Sequence, residues 1–441
     1  MCMRIIIIII MIALGGSVSA FAQWTLDDCI TYAQEHNIQL KKQANAIESQ
    51  KLSVENAKYQ RLPDLNASAS ETFSFGRGLT SDNTYTNKST SSTGFYLNTS
   101  VPLFTGMRIT NEVKMQKLNL QAAVADLEKA REDIALSVAQ YYIQAVYGNE
   151  LRGIAQRQIA IDSMQRERIA AMVECGKASR AELAQQEAAL AQSRLTATQA
   201  DNDYSIALLN LSQLLELPTP EGFAIAMPAE RDMEKVIAPL PSPEDIFGKA
   251  LLVRPSISAA KIRIDGAERS ISVAKSALYP QLSLSGSLGT NYYKTAGEYA
   301  ESFGTQLKNK FSQGIGINLS IPLFNRFQTR NNIRAARIEH SNRMLDLDEK
   351  KKALYKEIQT VYYNTVAAES KYRSSMASLK SSEEAYTLMR EKYENGKANI
   401  TEFNEAKNNM LKAESDLMRA KYEYMYQKSL VDFYSGEQLR I

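Results

Sequence analysis

The sequence predicts a mainly α protein built from two tandem copies of one half, each copy carrying a pair of β-strands between long helices. Three observations predict it. Val101-Pro102-Leu103-Phe104 and Ile321-Pro322-Leu323-Phe324 are near copies 220 positions apart, and the same offset maps Tyr142 onto Tyr362 and Glu174-Cys175-Gly176-Lys177-Ala178 onto Glu394-Asn395-Gly396-Lys397-Ala398. Three matches in one ungapped register identify a duplication, and so long a period makes each copy a half-protein rather than a solenoid unit. Most of the chain is rich in Ala, Leu, Glu, Gln, Lys and Arg and poor in proline, as helices require. Two stretches depart from that composition and switch to period-two alternation.

In chain order, residues 1–22 read as a secretory signal peptide. Arg4 precedes the apolar run Ile5 to Leu14, and Ala20-Phe21-Ala22 supplies the small-residue cleavage site. The run is too short to span a bilayer. No cysteine follows the expected cleavage site, so no lipid anchor is expected at the new N-terminus. Cys2 leaves with the signal. The pairing of Cys29 and Cys175 stays open, two scattered cysteines being a weak basis for a structural disulfide.

Helices are expected near 26–60, 107–174, 180–216, 244–278, 326–394 and 400–434. Their apolar positions recur at helical spacing, as in Ile134, Val138, Tyr141, Tyr142 and Ala145. At ~1.5 Å per residue the two longest would each reach ~100 Å. The shorter ones are about half that length, so two stacked end to end would match one long rod. The plan is a first repeat over 23–217, a proline-rich linker over 218–242 (Pro218, Pro220, Pro228, Pro239, Pro241) and a second repeat over 243–441.

The strands are expected near 64–76, 92–104, 281–293 and 313–324. Leu282, Leu284, Gly286 and Leu288 alternate with polar residues, as do Ile315, Ile317, Leu319 and Ile321. The first half gives Phe95, Leu97, Thr99 and Val101, and more weakly Leu65, Ala67, Ala69, Phe73 and Phe75. Polar loops near 77–91 and 294–312 join the members of each pair. Pro63 and Pro280 precede the first strand of each half, and Pro102 and Pro322 close the second, as suits corners where helix becomes strand. About ten alternating residues is the length of a tilted transmembrane strand, and it is also the length of an ordinary amphipathic strand over a soluble core. Four strands cannot close a membrane barrel, and an open edge in lipid leaves backbone groups unsatisfied. If the strands contact membrane lipid, several subunits must share one barrel.

The composition argues against most other functions. Net charge is +3 with no basic cluster, which argues against nucleic acid. His36 and His340 are isolated, with no second ligand at helical spacing, so no metal is expected. Glycine-rich phosphate loops and nucleophile elbows are missing, so no cofactor and no enzyme activity are expected. Beyond residue 22 no apolar run approaches the ~18 residues of a transmembrane helix.

Together these residues resemble the TolC family of outer-membrane channel proteins over essentially the whole mature chain. The carrying features are the tandem repeat, the paired Pro-Leu-Phe corners and the helical turns at Gly176 and Gly396. Tyr393-Glu394-Asn395-Gly396-Lys397-Ala398-Asn399-Ile400-Thr401-Glu402-Phe403 is similar to the family's tip motif, and Leu26-Asp27-Asp28-Cys29-Ile30 with Ala33 and Asn37 to its first-helix opening. The resemblance implies a homotrimer whose protomers each give four strands to a twelve-stranded barrel continuous with a periplasmic α-barrel. It implies a periplasmic adaptor and an inner-membrane transporter as partners in tripartite efflux or type I secretion. The linker would join the family's equatorial region, and the tips around Gly176, Lys177, Gly396 and Lys397 would meet the adaptor.

The resemblance also implies a gate at the periplasmic end. The family's carboxylate–tyrosine contact falls on Glu182 and Tyr393, and its pore-narrowing aspartates fall on Glu402 and Glu405. Two departures stand out: both aspartates are glutamates, and the family's latch arginine is Ala398, with Lys177 and Lys397 one position away as substitutes. The transported substrate and the individual adaptor and pump are not legible. A competing reading is a periplasmic helical-hairpin adaptor or structural coiled coil of the cell envelope. Such proteins normally carry one hairpin, not two repeats with four isolated strands.

Overall fold

The computed structural model describes residues 23–79, 83–218, 221–228 and 239–439. The segment 1–22, read above as a signal peptide, and linker residues 219–220 and 229–238 lie outside the described residues. In the first half, α1 (Leu26–His36) and α2 (Ile38–Tyr59) lead into β1 (Asp64–Ser74), β2 (Arg77–Leu79), β3 (Tyr85–Asn87) and β4 (Thr90–Phe104). α3 (Arg108–Glu174) and α4 (Arg180–Leu214) follow. The second half runs α5 (Pro243–Val253), α6 (Pro255–Ser276), β5 (Gln281–Thr295), α7 (Phe303–Asn309), β6 (Ser312–Ser320), α8 (Gln328–Glu394) and α9 (Ile400–Tyr434).

The duplication extends to the backbone, with two offsets instead of one. α3 and α4 map onto α8 and α9 at 220 residues, end for end, whereas α1 and α2 map onto α5 and α6 at 217. The three extra residues of the second half fall between its two strands. Left-handed residues repeat in register too: Gly106 with Arg326, Met107 with Phe327, Gly176 with Gly396, and Glu216 with Gly436.

The first and fourth expected helices are each broken, at Asn37 and at Arg254. Both residues are extended, with ψ of 129° and 123°. Arg254 precedes Pro255, whose ring disfavours helical backbone at the residue before it. Each break turns a buried polar side chain onto the end of a returning helix. Asn37 Nδ2 donates to the Leu214 carbonyl at 3.1 Å. The Arg254 guanidinium donates to the Phe433 carbonyl, pairs with Glu132 at 3.0 Å and lies 3.9 Å from the Phe433 ring centroid.

The chain divides into two compact units. One contains residues up to Ala44, Asp126–Ile257 and Glu349 onward. Here α1 starts with a capping box between Thr25 and Asp28, and α5 with Ser242 as cap and Pro243 in its first turn. Trp24 bridges Ile225 of the linker, and the buried Tyr142 hydroxyl donates to the Ala226 carbonyl at 2.6 Å. Its repeat mate Tyr362 instead stands half-exposed, edge-on to Tyr363.

Both cysteines of the described chain are free, Cys29 buried in α1 and Cys175 exposed at a helical turn. Burial, with some help from Asp28, pushes the Cys29 thiol up to about 12. Below the ordinary thiol range of about 8.5 this raised group favours the folded state in full, and the contribution is lost as pH climbs through 12. A maleimide at pH 8 is therefore expected to label only Cys175 in the native mature protein, and both thiols after denaturation. Labelling of both under native conditions would contradict the burial of Cys29.

The other unit contains Asn45–Ala125 and Ser258–Asp348, with an antiparallel sheet in the order β1-β4-β5-β6. Pro63 and Pro280 stand immediately before β1 and β5. Pro102 lies inside β4, beyond the last β1 pair at Ser100 and beside a register shift, where β4 has β5 alone as neighbour and a missing N–H is harmless. β6 ends at Ser320, so Pro322 follows the strand by two residues instead of closing it. Gly106 fits its corner for want of a side chain: a Cβ there would stand 2.5 Å from the Ser276 carbonyl oxygen.

The stretches expected to be polar loops carry structure. β2 pairs with β3, and α7 folds back toward β5. The Gln306 side chain of α7 satisfies both backbone groups of Tyr293, at 3.0 Å each, as a further strand would.

Candidate functional site

Rows of paired residues run across the sheet, mainly apolar on one face and mainly polar on the other. Leu65, Thr99, Gly286 and Ile315 form one row, Ala67, Leu97, Leu288 and Gln313 another, and Val101, Leu284 and Ile317 a third. These odd positions of β1, β4 and β6 and even positions of β5 share one face. The opposite face carries Asn66, Asn98, Ser287 and Gly314, then Ser68, Tyr96, Gly289 and Ser312. The Tyr96 ring fills the space that a Cβ would take at Gly94 and Gly289, covering two otherwise bare stretches of strand. On the apolar face Ile315 and Ile317 are 87% and 71% exposed within the chain. A continuous exposed apolar face of this kind calls for a cover. Both outer strands, β1 and β6, have one unpaired edge in the sheet. No described helix is long and apolar enough to cross a membrane.

The helical tips are built identically. α3 and α8 each end in a Schellman turn with glycine in the left-handed region, φ +66° at Gly176 and +67° at Gly396. Lys177 N–H donates to the Met172 carbonyl and Lys397 N–H to the Lys392 carbonyl, both at 2.8 Å. Both lysine side chains are exposed. Ser179 and Asn399 then cap the returning helices α4 and α9.

The structure gives the four residues assigned to the gate distinct local roles. Glu402 is the third residue of a capping box, its carboxylate accepting the Asn399 N–H at 3.0 Å. Glu405 is exposed one turn further along α9. The Tyr393 ring stacks on Phe403 with centroids 5.0 Å apart, inside an apolar cluster around Ile169, Ile400 and Phe403. Gln165 and Glu182 both lie near enough to act on its hydroxyl. Burial first and Glu182 second raise the Tyr393 hydroxyl, with Arg168 and Gln165 opposing. Within one chain, then, Gln165, a residue that sequence reasoning missed, joins Glu182 beside Tyr393.

A second feature missed from the sequence lies three turns back from the tips. Asp162 of α3 and Lys407 of α9 form an ion pair at 2.5 Å whose side chains are 1% and 3% exposed. Asp162 also accepts from Ser193, from Gln158 at 2.7 Å and from Gln186 at 3.3 Å. Burial pushes the Asp162 carboxyl up, but the hydrogen bonds from Lys407 and Ser193 outweigh it and hold it below the usual range. The pair therefore stabilises the fold above the ordinary carboxylate pKa of about 3.9 and loses effect as pH falls through the lowered value. A signal existed: Ile400, Phe403 and Lys407 follow one helical stripe, and a lysine on an apolar stripe requires a buried partner.

Against this geometry the comparisons with known proteins agree. The family model for outer membrane efflux proteins matches residues 29–216 and 246–432, one segment per repeat. The chain belongs to that family, and it is an outer-membrane channel protein for export. Among its relatives, outer membrane efflux protein BepC of Brucella suis biovar 1 (strain 1330) is 20% identical over 403 residues, covering 90% of this chain and 82% of BepC. Among solved structures, the transmembrane channel protein CusC matches with a TM-score of 0.77 at 16% identity, over 95% of this chain and 93% of CusC. The Campylobacter jejuni outer membrane channel CmeC matches with a TM-score of 0.75 at 19% identity, over 96% of this chain and 88% of CmeC.

Proposed function

We propose that three copies of the chain form a passive export duct, closing their sheets into one twelve-stranded barrel continued by a periplasmic α-barrel. The observation that carries this reading is a mainly apolar face, with Leu65, Leu97, Leu288 and Ile315 drawn from all four strands, while β1 and β6 keep open edges. Lipid covers the apolar face, neighbouring copies satisfy the edges, and the Asn, Ser and Gly face lines water. The duct works with a periplasmic adaptor and an inner-membrane transporter, in tripartite efflux or type I secretion. The tips carrying Gly176, Lys177, Gly396 and Lys397 are the adaptor's contact. The mass of the full mature chain in mild detergent tests the assembly: three subunits are expected, and a monodisperse monomer that still binds lipid would sink it.

The same tips form the gate. Glu402 and Glu405 are three residues apart on α9, so three copies around a narrow axis bring six carboxylates together and favour cations. Glu402→Gln keeps the capping bond, since glutamine serves a capping box equally, and removes only charge. Glu402→Gln with Glu405→Gln should lower cation selectivity in planar bilayers without greatly widening the pore. Tyr393→Phe keeps the ring on Phe403 and deletes the hydroxyl that Gln165 and Glu182 surround, and should raise resting conductance. Unchanged selectivity in the first variant and unchanged conductance in the second would make these residues ordinary solvated surface.

A further inference from the structure

The two offsets that relate the helices also relate the strands, and they carry hydrogen-bond register with them. At 217 residues β1 maps onto β5, and at 220 residues β4 maps onto β6. The pair Leu65–Thr99 then maps onto Leu282–Leu319, and Asp64–Ser100 onto Gln281–Ser320; all four are observed pairs. The halves meet at the β4–β5 seam, where Leu97 stands opposite Leu288, Asn98 opposite Ser287 and Ser100 opposite Ser285. The same mapping turns β4 into β6 and β5 into β1. Those are the outer strands, separated within one chain by β4 and β5. With neighbouring strands ~4.8 Å apart, β1 and β6 of one sheet cannot touch.

We infer that β6 of one protomer pairs antiparallel with β1 of a second copy in the register of the internal seam, Asn318 opposite Ser70, Ile317 opposite Glu71 and Ser320 opposite Ser68 of the neighbouring copy. This rests on the shared-barrel reading and deepens it. Two features of the chain support this register. Leu319 and Ile315 meet Ala69 and Phe73, which lie on the same face as Leu65 and Ala67, while Ile317 meets Glu71, whose carboxylate already accepts from Ser91 and Thr93 of its own chain. A slip of one residue would turn that face over, leaving slips of two as the competitors. A large residue also meets a small one in both seams, Thr99 with Gly286 and Leu319 with Ala69.

The copy stops at the corner beyond the strands. Gly106 approaches the Ser276 carbonyl too closely for any Cβ, whereas its repeat mate Arg326 has one. The neighbour's chain near Tyr59, the mate of Ser276, must therefore stand further off.

The test is disulfide formation in outer-membrane preparations of the full chain carrying Cys175→Ser. Residues directly opposite have Cβ atoms about 4.5–5.5 Å apart and diagonal neighbours about 7–8 Å, and a disulfide needs about 3.5–4.5 Å. Ser70→Cys with Asn318→Cys should give a cross-linked ladder ending at three subunits. Its yield should be severalfold above that of Ser68→Cys with Asn318→Cys or Thr72→Cys with Asn318→Cys. Ser68→Cys with Ser320→Cys supplies a second in-register pair should the first assemble poorly. Preferential cross-linking of a shifted pair would overturn the register while leaving the shared barrel standing. So would a trimer by mass in which no pair cross-links. A protein that stays monomeric by mass would overturn the barrel reading and the register with it.

Discussion

Leu284→Arg is expected to cost about 2–4 kcal/mol of membrane assembly at mid-depth, falling toward the interfaces. At 1.4 kcal/mol per factor of ten, that is roughly one and a half to three orders of magnitude in the insertion equilibrium, met once in every protomer. Leu284 stands between Val101 and Ile317, so the guanidinium has an apolar side chain on either side of it in its row. Ser283→Arg is the matched control. Ser283 sits one residue away on the opposite face, between Pro102 and Asn318, where the proposed lumen hydrates a charge. Trimer yield from outer membranes should fall sharply for the first variant and modestly for the second. Equal yields would remove the lipid-facing assignment.

Arg254→Ala should cost about 3 kcal/mol or more in the stability of the helical part, near the low end of the range for breaking a buried charge pair. The Arg254 side chain is 5% exposed and Glu132 is 28% exposed, so water repays part of the loss at the carboxylate. The variant deletes the Glu132 pair, the bond to the Phe433 carbonyl and the cover over the Phe433 ring. Arg254→Lys should rescue little, because an ammonium cannot reproduce the planar fork or the stacking. The deficit should also depend on pH. Burial raises the Glu132 carboxyl while Arg254 opposes it, so losing Arg254 raises it further. A group with a raised folded pKa favours folding below its unfolded value and loses that contribution as pH rises through the folded one. The gap between variant and parent should therefore be widest near pH 8 and narrow toward pH 4. Thermal unfolding of the detergent-solubilised protein, followed by circular dichroism at both pH values, reads it. A gap independent of pH would assign the loss to packing rather than to Glu132.

Much of this architecture was legible because it rests on period. Alternation at Leu282, Leu284 and Leu288 and at Ile315, Ile317 and Leu319 marks strands whatever their neighbours, and Pro63 and Pro280 mark where two of them start. The repeat showed at 220 residues because the tips and Pro-Leu-Phe corners keep that spacing; the 217-residue offset preserves backbone but little sequence identity. Helix composition hid the breaks at Asn37 and Arg254, although Pro255 gave fair warning of the second. β2, β3 and α7 escaped notice because stretches of three and seven residues are too short to show a period, and α7 is held by Gln306 binding the Tyr293 backbone. The same limit applies at the tips. Gln165 and the Asp162–Lys407 pair act across helices far apart in sequence, and single-chain periodicity records only that Lys407 occupies an apolar stripe.

The most direct test of the channel is the electrical behaviour of the purified mature protein in planar lipid bilayers. A shared barrel opening into a closed helical duct predicts discrete, uniform conductance steps that favour cations and grow in Tyr393→Phe. Protein that co-floats with liposomes as a trimer yet gives no steps, in the parent or in Tyr393→Phe, would contradict a continuous duct.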